Sequence, residues 1–158
     1  MLIRPIQKKD DQEIAAIIRT SLEEVALDLP GTAYTDPQLD HLTAYYQEIP
    51  ASAYFVVEEQ GQIIAGAGFA PLSKDICELQ KCYVASNYRG KGIGSTLLTK
   101  VEEVARQMNF SQMYLESSSQ LERAIPFYHK MGYESLERPL PNHENHFLMD
   151  IWMLKNLT

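Results

Sequence analysis

The stretch Arg89-Gly90-Lys91-Gly92-Ile93-Gly94 constrains this chain more than any other. It follows an apolar run that ends at Val84, and it opens the clearest amphipathic segment in the sequence. Leu97, Leu98, Val101, Val104, Ala105 and Met108 recur at helical spacing, so a helix is expected from Gly92 to Met108. A helix entered from a strand through such a loop exposes its first amides, which have no partner inside the helix. Those amides lie at the positive end of the helix dipole. Glycines at alternate positions remove Cβ atoms and let an anion approach the backbone. Arg89 and Lys91 add positive charge. The expected occupant is a di- or polyphosphate.

Two other phosphate motifs do not fit. A P-loop needs two glycines five apart, then Lys and Ser or Thr, and no segment has that spacing. A dinucleotide loop reads G-x-G-x-x-G, with an acidic residue about twenty positions on. Here the spacing is Gly90-x-Gly92-x-Gly94, without that acidic residue at a strand end. Glycines alone would also serve a tight turn. Three glycines, two cations and an amphipathic helix together favour the anion site.

Leu2 to Ile6 reads as a first strand. Asp10 with Glu13 makes a capping box for a helix carrying Ile14, Ile17, Ile18, Leu22 and Val25. Pro30-Gly31 stops it. Asp36-Pro37 offers a second helix start, with Leu39, Leu42, Tyr45, Tyr46 and Ile49 as its buried stripe and Pro50 as its end. Three strands follow: Ala53 to Glu59, Ile63 to Phe69 after a tight turn at Gln60-Gly61-Gln62, and Ile76 to Val84. Gly66 and Gly68 inside the second of these mark a bulge or a close approach by another group. Beyond the long helix come a strand at Met113 to Leu115 and a helix from about Leu121 to Met131, with Gly132 as its C-cap. Tyr133 to Leu136 and Phe147 to Leu154 read as closing strands. This order predicts one α/β (α+β) domain over residues 1–158, built on a mixed sheet.

Composition narrows the function. With 14 basic and 21 acidic residues the formal charge is −7, and no Lys/Arg cluster forms a basic face, so nucleic acid is not an expected partner. An acidic surface suits a cationic acceptor better. No run is long enough to span a membrane, so no membrane partner is expected, and Met1 to Pro5 lacks the apolar run of a signal peptide. Cys77 and Cys82 lie in one expected strand at odd spacing, which points them to opposite faces and keeps them from pairing. A reducing, cytoplasmic setting follows.

Arg89, Gly92 and Gly94 fill the Arg/Gln-x-x-Gly-x-Gly/Ala pattern, and Ala124-Ile125-Pro126-Phe127-Tyr128-His129-Lys130-Met131-Gly132-Tyr133 fits A-x-x-x-Y-x-K-x-G-F/Y. The first resembles motif A, and the second motif B, of the GNAT superfamily of acetyl-CoA-dependent N-acetyltransferases. Ile3-Arg4-Pro5 and Asp10 are similar to that family's opening. Pro30-Gly31-Thr32-Ala33-Tyr34, Glu78-Leu79-Gln80-Lys81 and Asp150-Ile151-Trp152-Met153-Leu154 resemble small bacterial members, some of them fused to winged-helix regulators. The resemblance covers essentially the whole chain. It implies a mixed, mostly antiparallel central sheet splayed between two parallel strands and flanked by about four helices. It implies acetyl-CoA as donor, a small-molecule or peptide amine as acceptor, and no metal. Members of the family often form homodimers, and the apolar final strand with Trp152 is a candidate interface.

The resemblance also implies a site. Pantetheine would bond backbone at Cys82, Tyr83 and Val84, and the pyrophosphate would sit on Arg89, Gly90, Lys91, Gly92, Ile93, Gly94 and Ser95. Ser119, Ala124, Phe127 and Lys130 complete the cofactor-binding set. Leu121 stands where many members carry a pantetheine-binding asparagine. Tyr128 matches the family's general acid; a phenol with a pKa near 10 stays protonated at neutral pH and can give its proton to a departing thiolate. Its alternative role is as a core aromatic. Glu78 matches a glutamate base, six residues before Val84 and so on the same strand face; it could equally orient substrate. No cysteine is placed as a nucleophile, so direct attack in a ternary complex is expected. A non-catalytic CoA- or acyl-CoA-binding regulatory module is the rival reading. Glu116 and Ser117 to Ser119 fall on the cofactor side or in a solvated loop. Tyr34, Tyr45 and Tyr46 either line an acceptor pocket or pack the N-terminal helices. His143, Glu144 and His146 lack a further ligand at metal-binding spacing.

Overall fold

The computed structural model describes residues 1–142 and 145–158. Its strands are β1 (Leu2–Pro5), β2 (Ala53–Glu59), β3 (Gln62–Pro71), β4 (Ile76–Val84), β5 (Gln112–Ser117), β6 (Glu134–Leu136) and β7 (Ile151–Asn156). The α-helices are α1 (Asp11–Glu23), α2 (Leu42–Glu48), α3 (Ile93–Gln107) and α4 (Ala124–Lys130). The strands form one sheet in the order β1-β2-β3-β4-β5-β7-β6. Neighbours are antiparallel except β4 and β5, which are parallel. This is the mixed, mostly antiparallel sheet that the sequence predicts.

Two apolar clusters sandwich the sheet. Leu97, Leu98 and Val101 of α3 pack with Phe69, Met113 and Tyr133. Ile14, Ile18 and Leu22 of α1 pack with Leu39, Leu42 and Tyr54. Each fully buried aliphatic or aromatic side chain contributes about 1.5–3 kcal/mol by leaving water.

The parallel pair matters most for the site. Its register is limited to Ile76↔Gln112, Cys77↔Met113 and Glu78↔Tyr114. Beyond Glu78, β4 continues to Val84, while β5 stays paired with β7 as far as Ser117↔Ile151. The two strands therefore splay apart.

A β-bulge accompanies the splay. Along β3 and β4, Gly68 faces Gln80 but Gly66 faces Tyr83, so β4 carries one extra residue. Lys81 takes it up with a left-handed φ of 50°. The buried Tyr54 hydroxyl donates to the Lys81 carbonyl at 2.7 Å, replacing a ladder bond lost at the bulge. The two interior glycines make room for that tyrosine. A Cβ at Gly66 would lie 2.7 Å from the Tyr54 hydroxyl, and one at Gly68 would lie 2.5 Å from the Tyr54 ring.

The bulge overturns two expectations of side-chain direction. Cys77, Leu79, Cys82 and Val84 all pack on the α3 cluster, while Tyr83 packs on the α1 cluster. Cys77 and Cys82 thus share a side of the sheet, and Glu78 and Val84 do not. Strict alternation fails because one residue is inserted.

Several element ends also differ. Asp10 does not cap α1; it accepts from the Gln7 amide at 2.8 Å and pairs with Arg4 at 2.7 Å. Glu13 instead accepts from the Ile63 amide at 3.0 Å, tying α1 to β3. Asp36-Pro37 does not begin α2, which a 3-10 turn at Leu39–His41 precedes. The Asp36 carboxylate is spent on tertiary partners, Lys81 and His146. The last helix begins at Ala124 rather than Leu121, with Pro126 as its third residue. The final strand begins at Ile151 rather than Phe147, because residues 146–149 turn and Leu148 donates to the Gly31 carbonyl at 3.1 Å.

Candidate active site

The splay opens a cleft of about 1140 Å³. Leu79, Cys82 and Val84 line one wall, Leu115 and Ser117 the other, and Phe127 and Tyr128 close one end. The glycine loop lies at its mouth. Gly90 and Gly92 have φ of 76° and 81°, values that an L side chain rarely adopts. Nothing lies within 4 Å of where either Cβ would be, so their cleft-facing backbone is open. The Thr96 amide bonds back to Gly92 at 3.2 Å. The amides of Ile93, Gly94 and Ser95 precede it in the first turn, which has no intrahelical partners to offer them. An anion there meets both free donors and the helix dipole.

The other sequence-predicted residues divide by what they touch. Gly94, Ser95, Ala124 and Lys130 line the cleft. The Ile93 side chain is buried in the core, so only its backbone can serve a ligand. Lys91 sits 5.4 Å from the centre of the Tyr88 ring, a cation–π distance. Arg89 lines the cleft and also braces it: its guanidinium donates to the Val84 carbonyl at 2.9 Å, to Glu24 at 2.8 Å and to Ser21 at 3.0 Å. Ser119 is engaged by Asp150, through its amide at 2.8 Å and its hydroxyl at 2.7 Å. Gln120 and Leu121 line the cleft beside it.

Tyr128 is buried at the inner end of the cleft. Its ring stands 5.3 Å from Phe127 and 5.7 Å from Tyr133. Burial pushes its phenol well above the ordinary value, and Cys82 and Tyr83 add to the effect. Burial also pushes the Cys82 thiol up to about 11, partly offset by its hydrogen bond with Tyr128. At neutral pH both groups therefore hold their protons. A thiol that keeps its proton makes Cys82 a poor nucleophile.

Glu78 faces away from this cleft, into a small cavity of about 60 Å³ on the α1 side. Gln80, Lys81, Tyr83, Glu116 and His146 share that cavity. The Gln80 amide donates to one Glu78 oxygen at 2.8 Å, and the Asn142 amide donates to the other. Tyr114 donates to Glu116 at 2.7 Å, and burial followed by that carboxylate raises the phenol's pKa. Lys81 is buried against Asp36 at 2.8 Å, and His146 meets the same carboxylate at 2.9 Å. Burial acts to raise the Asp36 pKa, but His146 and Lys81 together hold it below the ordinary value. The lysine charge is thus spent, which leaves Glu78 and Glu116 as the cavity's carboxylates among the described residues. Leu79, Lys81, Tyr83, Glu116 and Met149 border both spaces, so cleft and cavity meet across β4.

The three N-terminal tyrosines separate here. Tyr34 bonds Glu23 on the surface. Tyr45 stands edge-on to Tyr46 at 5.1 Å. Tyr46 reaches the site by donating to Gln80 at 2.8 Å. His143 and Glu144 lie outside the described residues. Among the described residues no group of three or more His, Cys, Asp or Glu side chains is placed to hold a metal ion, and no helix is long and apolar enough to cross a membrane.

Sequence reasoning missed Asp36, Lys81, Gln80 and Asn142. The one available signal was the polar run Glu78, Gln80, Lys81 inside an otherwise apolar strand, since such groups are buried only with partners.

A splayed parallel pair, a left-handed glycine loop at a helix N-terminus and a buried tyrosine at the cleft's end define an acyl-transfer fold. The model of the acetyltransferase (GNAT) family matches residues 12–133, and the chain belongs to that family. YjgM of Escherichia coli K12, an uncharacterized N-acetyltransferase, is 37% identical over 160 residues, covering 99% of this chain and 95% of its own. A GNAT-family acetyltransferase from Staphylococcus aureus Mu50 shares the fold with a TM-score of 0.89 at 20% identity, over 99% of both chains. An aminoglycoside 6'-N-acetyltransferase solved with coenzyme A shares it with a TM-score of 0.74 at 18% identity, over 100% of this chain and 98% of that one.

Proposed function

We propose that this protein moves an acetyl group from acetyl-CoA to a primary amine by direct attack in a ternary complex. The observation that carries the proposal is the junction across β4. The cleft leads from the glycine loop to Tyr128, and the carboxylate cavity meets it from the other side of the same strand. A long phosphorylated donor suits the cleft and a cationic acceptor suits the cavity. The aminoglycoside enzyme of the same fold, solved with coenzyme A, supports the choice of donor.

Acetyl-CoA, when bound, supplies an activated thioester carbonyl. The chain supplies position and proton transfer. The Ile93 to Ser95 amides bind the pyrophosphate, and the β4 edge left unpaired beyond Glu78 offers backbone to the pantetheine amides. Glu78 takes the proton that the attacking amine must lose, directly or through water. A C–N bond forms, the C–S bond breaks, and the Tyr128 hydroxyl gives its proton to the leaving sulfur. Burial of Tyr128 keeps that proton in place until negative charge develops on the leaving sulfur.

The test is thiol release from acetyl-CoA with a panel of amines, run on wild type and Tyr128→Phe. We expect turnover with at least one amine, a fall in kcat of about 10²-fold in the variant, and unchanged CoA affinity. CoA binding without turnover across the panel would support a binding module instead. Tighter binding of a nucleoside triphosphate than of CoA would refute both.

A further inference from the structure

We propose that Gln80 and Tyr46 are positioning residues that hold Glu78 ready to accept a proton from the amine; this rests on the acyl-transfer reading above. Glu78 and Gln80 are two apart on β4, ahead of the bulge, so both side chains point into the α1 side of the sheet. Tyr46 approaches from α2. All three are buried, with 5%, 8% and 5% of Glu78, Gln80 and Tyr46 exposed.

The order of hydrogen bonds gives the chain a direction. A glutamine side chain can present either its oxygen or its NH₂ to a neighbour. The Tyr46 hydroxyl donates to Gln80 Oε1 at 2.8 Å, which turns Nε2 toward Glu78 Oε1, also at 2.8 Å. An N–H facing a carboxylate favours its ionised form, and the low dielectric of a buried site strengthens that hydrogen bond against the opposing effect of desolvation. Tyr46 thus selects the Gln80 orientation that keeps Glu78 a base. The same contacts fix the carboxylate's rotation, with Asn142 holding the second oxygen. Once Glu78 takes a proton, its new O–H can donate to Gln80 only if the amide turns over, with Nε2 then donating to the Tyr46 oxygen. Lys81, Glu116, His146 and Tyr83 face the same cavity, with Asp36 behind Lys81, so the relay acts within a field of other charges.

The experiment uses Gln80→Met, which keeps side-chain length without the amide, Tyr46→Phe, and the double variant. Steady-state kinetics with acetyl-CoA and an amine accepted by wild type are paired with ¹³C-carboxyl NMR titration of Glu78, assigned by Glu78→Gln. We expect kcat to fall about ten-fold in Gln80→Met and about three-fold in Tyr46→Phe, with KM for acetyl-CoA unchanged. The double variant should lose less than the product of the two single effects, because Tyr46 acts on Glu78 through Gln80. The Glu78 titration midpoint should rise in both single variants. Effects that multiply, or an unmoved midpoint, overturn the proposal. A merely structural role would lower Tm while leaving the midpoint in place. Should wild type release no thiol with any amine, the acyl-transfer reading fails. The NMR midpoints then decide the relay alone: a rise in Gln80→Met sustains it, and no rise overturns it.

Discussion

Replacing Tyr54 by Phe removes one oxygen atom and tests what holds the bulge in β4. The Tyr54 hydroxyl lies 2.7 Å from the Lys81 carbonyl, and Tyr54 is 2% exposed. The net worth of such a bond is about 1 kcal/mol, and a buried carbonyl left without a partner costs about 1–3 kcal/mol. Phe fits the same space, so no cavity beyond the lost hydroxyl adds to this. A loss of about 2 kcal/mol is expected. For a protein of this size a urea m-value of about 2 kcal/mol/M converts that to a midpoint lower by about 1 M. Urea unfolding followed by circular dichroism measures it. Tyr34→Phe is the control, because its hydroxyl bonds Glu23 on the surface and its loss should leave the midpoint in place. Since the bulge sends Cys82 and Val84 to the cleft side, CoA binding should weaken in Tyr54→Phe as well. A loss below about 0.5 kcal/mol would show that the carbonyl finds another partner, and that Tyr54 does not secure the bulge.

Gly92→Ala should raise the Kd for CoA about ten-fold by calorimetry, because a side chain at φ of 81° is strained and would stand where the anion approaches. Its effect on stability should stay near 1 kcal/mol, since no atom lies within 4 Å to clash. Asp36→Asn tests the buried pairing with Lys81 and His146. The folded Asp36 pKa lies below 3.8, so its contribution is complete above that value and is lost as pH falls through the folded pKa. Wild-type stability should therefore fall more steeply than that of Asp36→Asn through the acid range below about pH 4, measured by urea midpoints at stepped pH. Equal slopes would remove Asp36 from the account.

Sequence and tertiary structure contributed different things. Local rules carried the glycine loop and α3, since both depend on neighbours within a few residues: alternate glycines set the loop's backbone, and a 3.6-residue stripe sets the helix face. The same holds for β2 and the Gly132 cap of α4, whose patterns are short and local. Asp10 and Asp36 show where those rules stop. Each has the sequence context of a helix cap, yet each carboxylate goes to a cation brought in by the fold, Arg4 and Lys81. A cap is worth about 1 kcal/mol, and a partly buried, charge-assisted pair competes with it.

The bulge is the deeper case. Period-two alternation placed Glu78 with Val84 and set Cys77 against Cys82. One residue at left-handed φ reversed both, because sheet parity is a running count that a single insertion shifts for every residue beyond it. Gly66 and Gly68 announced a close approach in the sequence, but only the packed sheet shows that Tyr54 makes it. From the amino-acid order alone came the family, the donor loop and the two candidate catalytic residues. The fold decided that Tyr128 and Glu78 stand on opposite sides of one strand, and which neighbours hold them, because those relations depend on contacts between residues far apart in the chain.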